Sequence, residues 1–223
     1  MTQMSGFLSS SIGKKFAMAL SALFLMIFLL QHFAINILSV FSESAFNKAS
    51  HFMGTFWAVQ YLLQPVLIFG VIFHFVMGFV LEIQNRKARQ IKYAKNNGNA
   101  NSSWMSRNMI WSGFAILAFI VLHFIDFWIP EMQYKYIDFS PENPTRYFHE
   151  LVEKFHNPVR VSAYVIAFIF LILHLLHGFN SAFQSVGANN KYTKALKGFS
   201  KIYAIGIPLG FIFIALFHHF TGH

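Results

Sequence analysis

Four histidines lie inside four separate apolar runs of this chain: His32, His74, His123 and His174. An imidazole is costly in hydrocarbon unless it has a partner, so each one marks either a function or a hydrogen bond between helices. Two histidine pairs that face each other across a helix bundle are what two bis-imidazole haems need. Two glycines suit that chemistry. Gly78 follows His74 by four residues, and Gly178 follows His174 by four. Positions four apart share a helix face, one turn removed, where glycine leaves room for a flat macrocycle. Small residues there also let helices approach, and lone histidines also serve as helix-to-helix hydrogen bonds or proton paths.

The elements that must position these residues follow from composition. The chain has 223 residues, 56% hydrophobic and 11% charged, with 29 Phe. A soluble domain carries about 25% charged residues. Spanning a bilayer takes roughly 20 mainly apolar residues per helix. Five segments qualify, at about 16–40, 58–82, 108–129, 159–183 and 199–220. The expected fold is therefore all-α: one domain, residues 1–223, built as a five-helix membrane bundle. The first apolar run is too long for a signal-peptide core and is expected to stay as a helix. Pro65 and Pro208 are positioned to kink spans two and five. The sequence has no cysteine, which excludes disulfides, thiolate zinc sites and cysteine-held iron–sulfur clusters from this chain.

Charge sets the expected orientation. If five spans alternate, the N-terminal Lys14 and Lys15, the loop from Arg86 to Arg107 and the loop from Lys191 to Lys201 share one side, with twelve of the 17 Lys and Arg. The other side carries seven of the eight acids. The positive-inside rule then puts the N-terminus in the cytoplasm and the C-terminus outside. The basic side doubles as a docking face for a soluble partner. The +9 formal charge is thus explained without nucleic acid. Asn143-Pro144 reads as a helix start, and the apolar spacing from Tyr147 to Phe155 predicts an amphipathic helix over 144–156 on the outer interface. Asn157-Pro158 then opens span four.

Depth follows from the rise of about 1.5 Å per residue. His32 and His123 fall in the outer halves of spans one and three. His74 and His174 fall at similar inner depths of spans two and four. The expected pairs are His32 with His123 and His74 with His174. His177 lies three residues beyond His174, and depth alone does not choose between them. The remaining histidines lie near the outer interface or the C-terminal end. The chain has no Gly-rich phosphate loop, nucleophile elbow or zincin motif, and no intramembrane pair of acids.

The order of these residues carries a family resemblance. Leu30-Gln31-His32-Phe33-Ala34-Ile35-Asn36, then Ala45-Phe46-Asn47 and His51-Phe52-Met53, resemble the cytochrome b membrane anchor of succinate dehydrogenase and fumarate reductase. Phe73-His74 with Gly78, Leu122-His123, and Leu173-His174 with Gly178 continue the likeness, which runs from about 15 to 185. The closer likeness is to the bacterial single-subunit, five-helix, dihaem kind, and span five matches only as an apolar helix.

The resemblance implies two haems b, the inner on His74 and His174 and the outer on His32 and His123. It favours His174 over His177, which is left to bond a propionate or the quinone. It implies a multi-pass protein of the bacterial cytoplasmic membrane. A flavoprotein with FAD and an iron–sulfur protein with its clusters would dock on the cytoplasmic side, and the electron partner in the membrane would be a quinone, commonly menaquinone. Quinone needs hydrogen-bonding or protonatable groups, and the outer-side candidates are Gln31, Glu43, His51, Asp126 and Arg160. Lys15 is an inner candidate for a propionate. The competing readings are a dihaem anchor of another respiratory dehydrogenase, a haem-free transporter, and an anchor without haems.

Overall fold

Ser10 opens the first helix by accepting a hydrogen bond from the Gly13 amide at 2.9 Å, which satisfies one of the free N–H groups of the first turn. The computed structural model describes residues 10–88, 109–188 and 193–221, and they are helical nearly throughout. Helix α1 (Ser11–Asn36) continues through the short α2 (Leu38–Phe41). A 13-residue helix, α3 (Glu43–Thr55), follows, capped by Ser42. A π turn at Val59–Leu63 leads into α4 (Gln64–Ala88). Helix α5 (Met109–His123) passes through a second π turn, Phe124–Trp128, into α6 (Ile129–Tyr136). Then come α7 (Arg146–His156), α8 (Pro158–Ser185) and α9 (Thr193–Thr221).

Five of these segments are long and apolar enough to cross a membrane: Ser11–Phe41, Val59–Lys87, Met109–Tyr136, Pro158–Ser185 and Thr193–Thr221. They are the five expected spans, each longer than its sequence-based bounds. Span three differs most, running on to Tyr136 where the composition ends it at 129. Pro130 lies within this extension. It falls just after the π turn, where the hydrogen-bond ladder is already shifted, so its missing N–H is tolerated. Pro65 stands in the same place after the first π turn. Pro208 lies inside α9 and is fully buried.

Span five is the best packed. Of its most apolar stretch 39% is buried, against 6% for span two. Its Ala204 and Ala215 are completely buried. Small residues at such positions let two helices approach closely. Around them Tyr164, Phe168, Phe179, Tyr203, Phe211 and Ile214 form the central core, and the Tyr203 hydroxyl donates to the Met26 carbonyl.

One end of the bundle is closed by α3, α6 and α7. Helix α7 turns Leu151, Val152 and Phe155 into the core, which fits the amphipathic helix expected there. It starts at Arg146, however, rather than at 144. Asn143 is not its cap: its Oδ1 accepts from the Thr145 amide at 3.0 Å and the Thr145 hydroxyl at 2.9 Å, forming a turn just ahead of the helix. Asn157 does cap span four, accepting from the Val159 and Arg160 amides at 2.9 and 3.2 Å. Buried Asn47 of α3 accepts the Phe148 amide at 2.9 Å and ties the two short helices together. Arg146 sits over the Tyr134 and Tyr147 rings, 4.1 and 4.4 Å from their centres, and bonds Glu131 and Glu150. Burial opposes the Arg146 charge, but those two carboxylates outweigh it and hold the guanidinium protonated. Burial, then Glu131, pushes the Tyr147 hydroxyl up to about 12.

Candidate dihistidine centres

The four histidines meet as two pairs, labelled inner and outer after the expected orientation. The His32 and His123 rings have centres 5.8 Å apart with planes at 84°. The His74 and His174 rings are 6.3 Å apart at 68°. An imidazole nitrogen binds a metal at about 2 Å, so two rings that shared one ion would have centres about 6 Å apart. Each of the four residues is only half-buried, so each retains open space beside it. From the inner to the outer pair the distance is about 16 Å, eleven residues along the helix.

The inner pair is held by serines. His74 Nδ1 lies 3.0 Å from Ser21 Oγ on span one, and His174 Nδ1 lies 3.2 Å from Ser112 Oγ on span three. Each hydroxyl has a single hydrogen. Ser21 spends it on the Met18 carbonyl and Ser112 on the Met109 carbonyl, both at 2.8 Å. With the hydroxyl hydrogens spent in this way the ring nitrogen is the donor, each histidine is the Nδ1–H tautomer, and its Nε2 lone pair is left to a metal. The same arrangement of an outer partner orienting a ligand recurs at metal sites. Beside the pair, a Cβ added to Gly178 would meet nothing within 4 Å, and one on Gly78 would meet only the Met18 methyl at 3.6 Å. His174 rather than His177 faces His74; His177 makes no ring contact or hydrogen bond with a described residue.

The outer pair sits in an aromatic shell. Phe28 stacks on His32 at 5.4 Å, Phe119 stacks on His123 at 5.8 Å, and Phe211 of span five lies 5.7 Å from His32. On the His123 side the shell turns polar. The Tyr164 hydroxyl lies 3.5 Å from His123 Nδ1 and donates to Asp126 Oδ2 at 2.8 Å. Arg160 bonds the other Asp126 oxygen. Asp126 belongs to the second π turn and its side chain is wholly buried.

The structure divides the five sequence-picked quinone candidates. Asp126 and Arg160 join each other beside His123. Gln31 points its amide at the Met53 sulfur at 3.5 Å. Glu43 and His51 lie on α3 at the closed end, within 3.6 Å of His149 and 3.9 Å of Glu142 respectively, and form no cluster with the others. Lys15 is exposed. Sequence reasoning missed Ser21, Ser112 and Tyr164. A signal for the serines exists: each precedes an outer histidine by eleven residues, three helical turns, and so shares its face.

A bis-imidazole haem fits these residues. Ring separation, the serine contacts of the inner pair, and open glycine faces all suit it. Among the described residues no three His, Cys, Asp or Glu side chains cluster as a metal held by protein alone requires. If the inner pair holds a haem, replacing Ser112 or Ser21 by alanine is expected to leave the helices intact but loosen that haem. Losing an orienting partner weakens metal binding by roughly 10–100-fold. Haem retention after detergent washing, measured against wild type, checks this; retention equal to wild type in both variants would show that the serines do not orient the rings.

Comparison with protein-family models, with curated proteins and with solved structures finds no match for this chain.

Proposed function

We propose that this chain is a dihaem cytochrome b, the membrane anchor of a succinate dehydrogenase or fumarate reductase, passing electrons between an iron–sulfur partner and a membrane quinone such as menaquinone. One observation carries the reading: four histidines from four different spans meet as two pairs at metal-ligand spacing. In this reading His74 and His174 hold the inner haem, and His32 and His123 the outer one. A haem b bound there supplies reversible one-electron iron chemistry. The chain's own residues do the rest. Ser21 and Ser112 keep the inner Nε2 atoms unprotonated, and Phe28, Phe119 and Phe211 exclude water from the outer pair.

The resemblance of the histidine motifs to that family supports the choice of partners. The Lys- and Arg-rich end is then cytoplasmic and receives a flavoprotein with FAD and an iron–sulfur subunit. Asp126, Arg160, Glu131 and Arg146 then lie at the outer end. The membrane is the bacterial cytoplasmic membrane.

The test is a reduced-minus-oxidised visible spectrum of the purified protein with a pyridine haemochrome assay. Two haems b per chain is the expected result. Colourless protein from cells with ample haem would overturn the reading and move the chain to the transporter class.

A further inference from the structure

Among the described residues Asp126 is the one acid with a fully buried side chain. It follows His123 by three residues and lies inside the π turn Phe124–Trp128. A π turn adds a residue to a helix, re-aims the side chains beyond it, and is frequent at functional sites. Two residues of span four, one helical turn apart, hold the carboxylate. Arg160 bonds Oδ1, and the buried Tyr164 donates its hydroxyl hydrogen to Oδ2 at 2.8 Å. Apolar side chains would join the two spans at least as well as a buried ion pair does, so packing alone does not account for this one.

The network ends on the His123 ring. The Tyr164 hydroxyl has one hydrogen, and Asp126 takes it. With that hydrogen spent, the oxygen 3.5 Å from His123 Nδ1 presents a lone pair to the ring N–H, and Nε2 is left to a metal. A negative charge thus stands one hydroxyl away from His123. Arg160 offsets it incompletely. The Asp126 side chain has no exposure and that of Arg160 is 31% exposed, so water and salt screen the cation more than the anion. Among the described residues no carboxylate or guanidinium bonds the other three rings. Ser21 and Ser112 are neutral partners of His74 and His174, and the neutral Asn36 amide lies 3.4 Å from His32 Nε2.

A haem iron gains one positive charge when it is oxidised. A buried anion beside an axial ligand stabilises the ferric form, and a hydrogen bond from that ligand makes it more basic, with the same effect. We propose that Tyr164, Asp126 and Arg160 set the reduction potential of the outer haem: the carboxylate lowers it through Tyr164, and Arg160 limits how far. This rests on the proposed electron-carrier function, and it gives Asp126 and Arg160 a role that needs no contact with quinone.

Spectroelectrochemical titration of the purified full-length protein, at fixed pH and ionic strength, tests this. Asp126→Asn is expected to raise the outer potential. The ferrous-to-ferric ratio at a fixed electrode potential should rise about tenfold, which is about 59 mV for one electron. Tyr164→Phe keeps the ring, loses the hydroxyl, and should move the same step in the same direction. Asp126→Asn combined with Arg160→Leu removes both charges and should bring the step back toward wild type, which a purely structural role does not predict. In a His174→Ala background, where the pairing leaves the outer haem alone, the remaining step is the one that moves. A fall in potential in Asp126→Asn overturns the proposal, as does an equal shift of both haems, or a double variant no nearer to wild type than Asp126→Asn. Two haems with an outer step unmoved in both Asp126→Asn and Tyr164→Phe overturn the tuning role alone. Wild-type protein without haem overturns the electron-carrier reading and the tuning role with it.

Discussion

Alanine in place of His174 is expected to leave purified protein with half the haem of wild type, and His74→Ala to do the same. The two rings face each other at 6.3 Å and their other nitrogens are tied to serines, so neither can be replaced by a neighbour moving in. His123→Ala or His32→Ala should remove the other half, leaving a spectrum that differs from the first. His177→Ala should keep both haems. Pyridine haemochrome content together with a redox titration reads all five variants. Full haem content in His74→Ala and His174→Ala would reject the inner pair, and loss of the inner haem in His177→Ala would put the ligand three residues along.

Arg160→Leu should destabilise the protein severely. The Asp126 side chain is fully buried, and Arg160 is its only cationic partner among the described residues. Breaking a buried pair from one side costs about 3–5 kcal/mol, because the remaining charge is stranded in a low-dielectric site. Tyr164 would be left as its single side-chain donor among the described residues. Asp126→Asn should cost less, since Arg160 is 31% exposed and can reach the interface. The double variant Asp126→Asn with Arg160→Leu should recover much of the loss. Thermal unfolding in detergent measures all three. Equal destabilisation by both single variants, with no recovery in the double, would mean that the pair is not a coupled unit. The outer haem should also loosen in Arg160→Leu, because the same network reaches the His123 ring through Tyr164.

The spans and the histidine pairing were legible because they depend on two periodicities that the chain cannot hide, the length of apolar runs and the rise of a helix. Side-chain partnership was less so. Gln31, Glu43, His51, Asp126 and Arg160 look alike as interfacial polar residues, and only packing separates the buried Asp126 from exposed Glu43. Serine in a membrane helix usually bonds its own backbone, as Ser21 and Ser112 do, which conceals that each also accepts from an imidazole. Helix α3 is short and weakly apolar, and its one local sign is Ser42 followed by Glu43. The π turns carry no composition of their own; the prolines just beyond them, Pro65 and Pro130, are the nearest trace. The missed cap at Asn143 shows that Asn-Pro can close a turn as readily as it opens a helix.

The serine contacts have a consequence for symmetry. Spans one and three each carry a serine and, eleven residues on, a histidine; spans two and four each carry a histidine and, four residues on, a glycine. Exchanging one with three and two with four maps the histidine–histidine and serine–histidine contacts onto one another: His32 with His123, His74 with His174, and Ser21–His74 onto Ser112–His174. The first four spans thus have the form of a dimer of two-helix units joined in a single chain, and each centre takes one imidazole from each unit. Span five breaks the equivalence. It lays Phe211 against His32, while the related position beside His123 meets Tyr164 and, through it, Asp126 and Arg160. The outer centre is therefore polarised: His32 packs on phenylalanines with the Asn36 amide beside its ring, the other imidazole reaches an ion pair through Tyr164, and the inner centre keeps the two-fold balance of its serines.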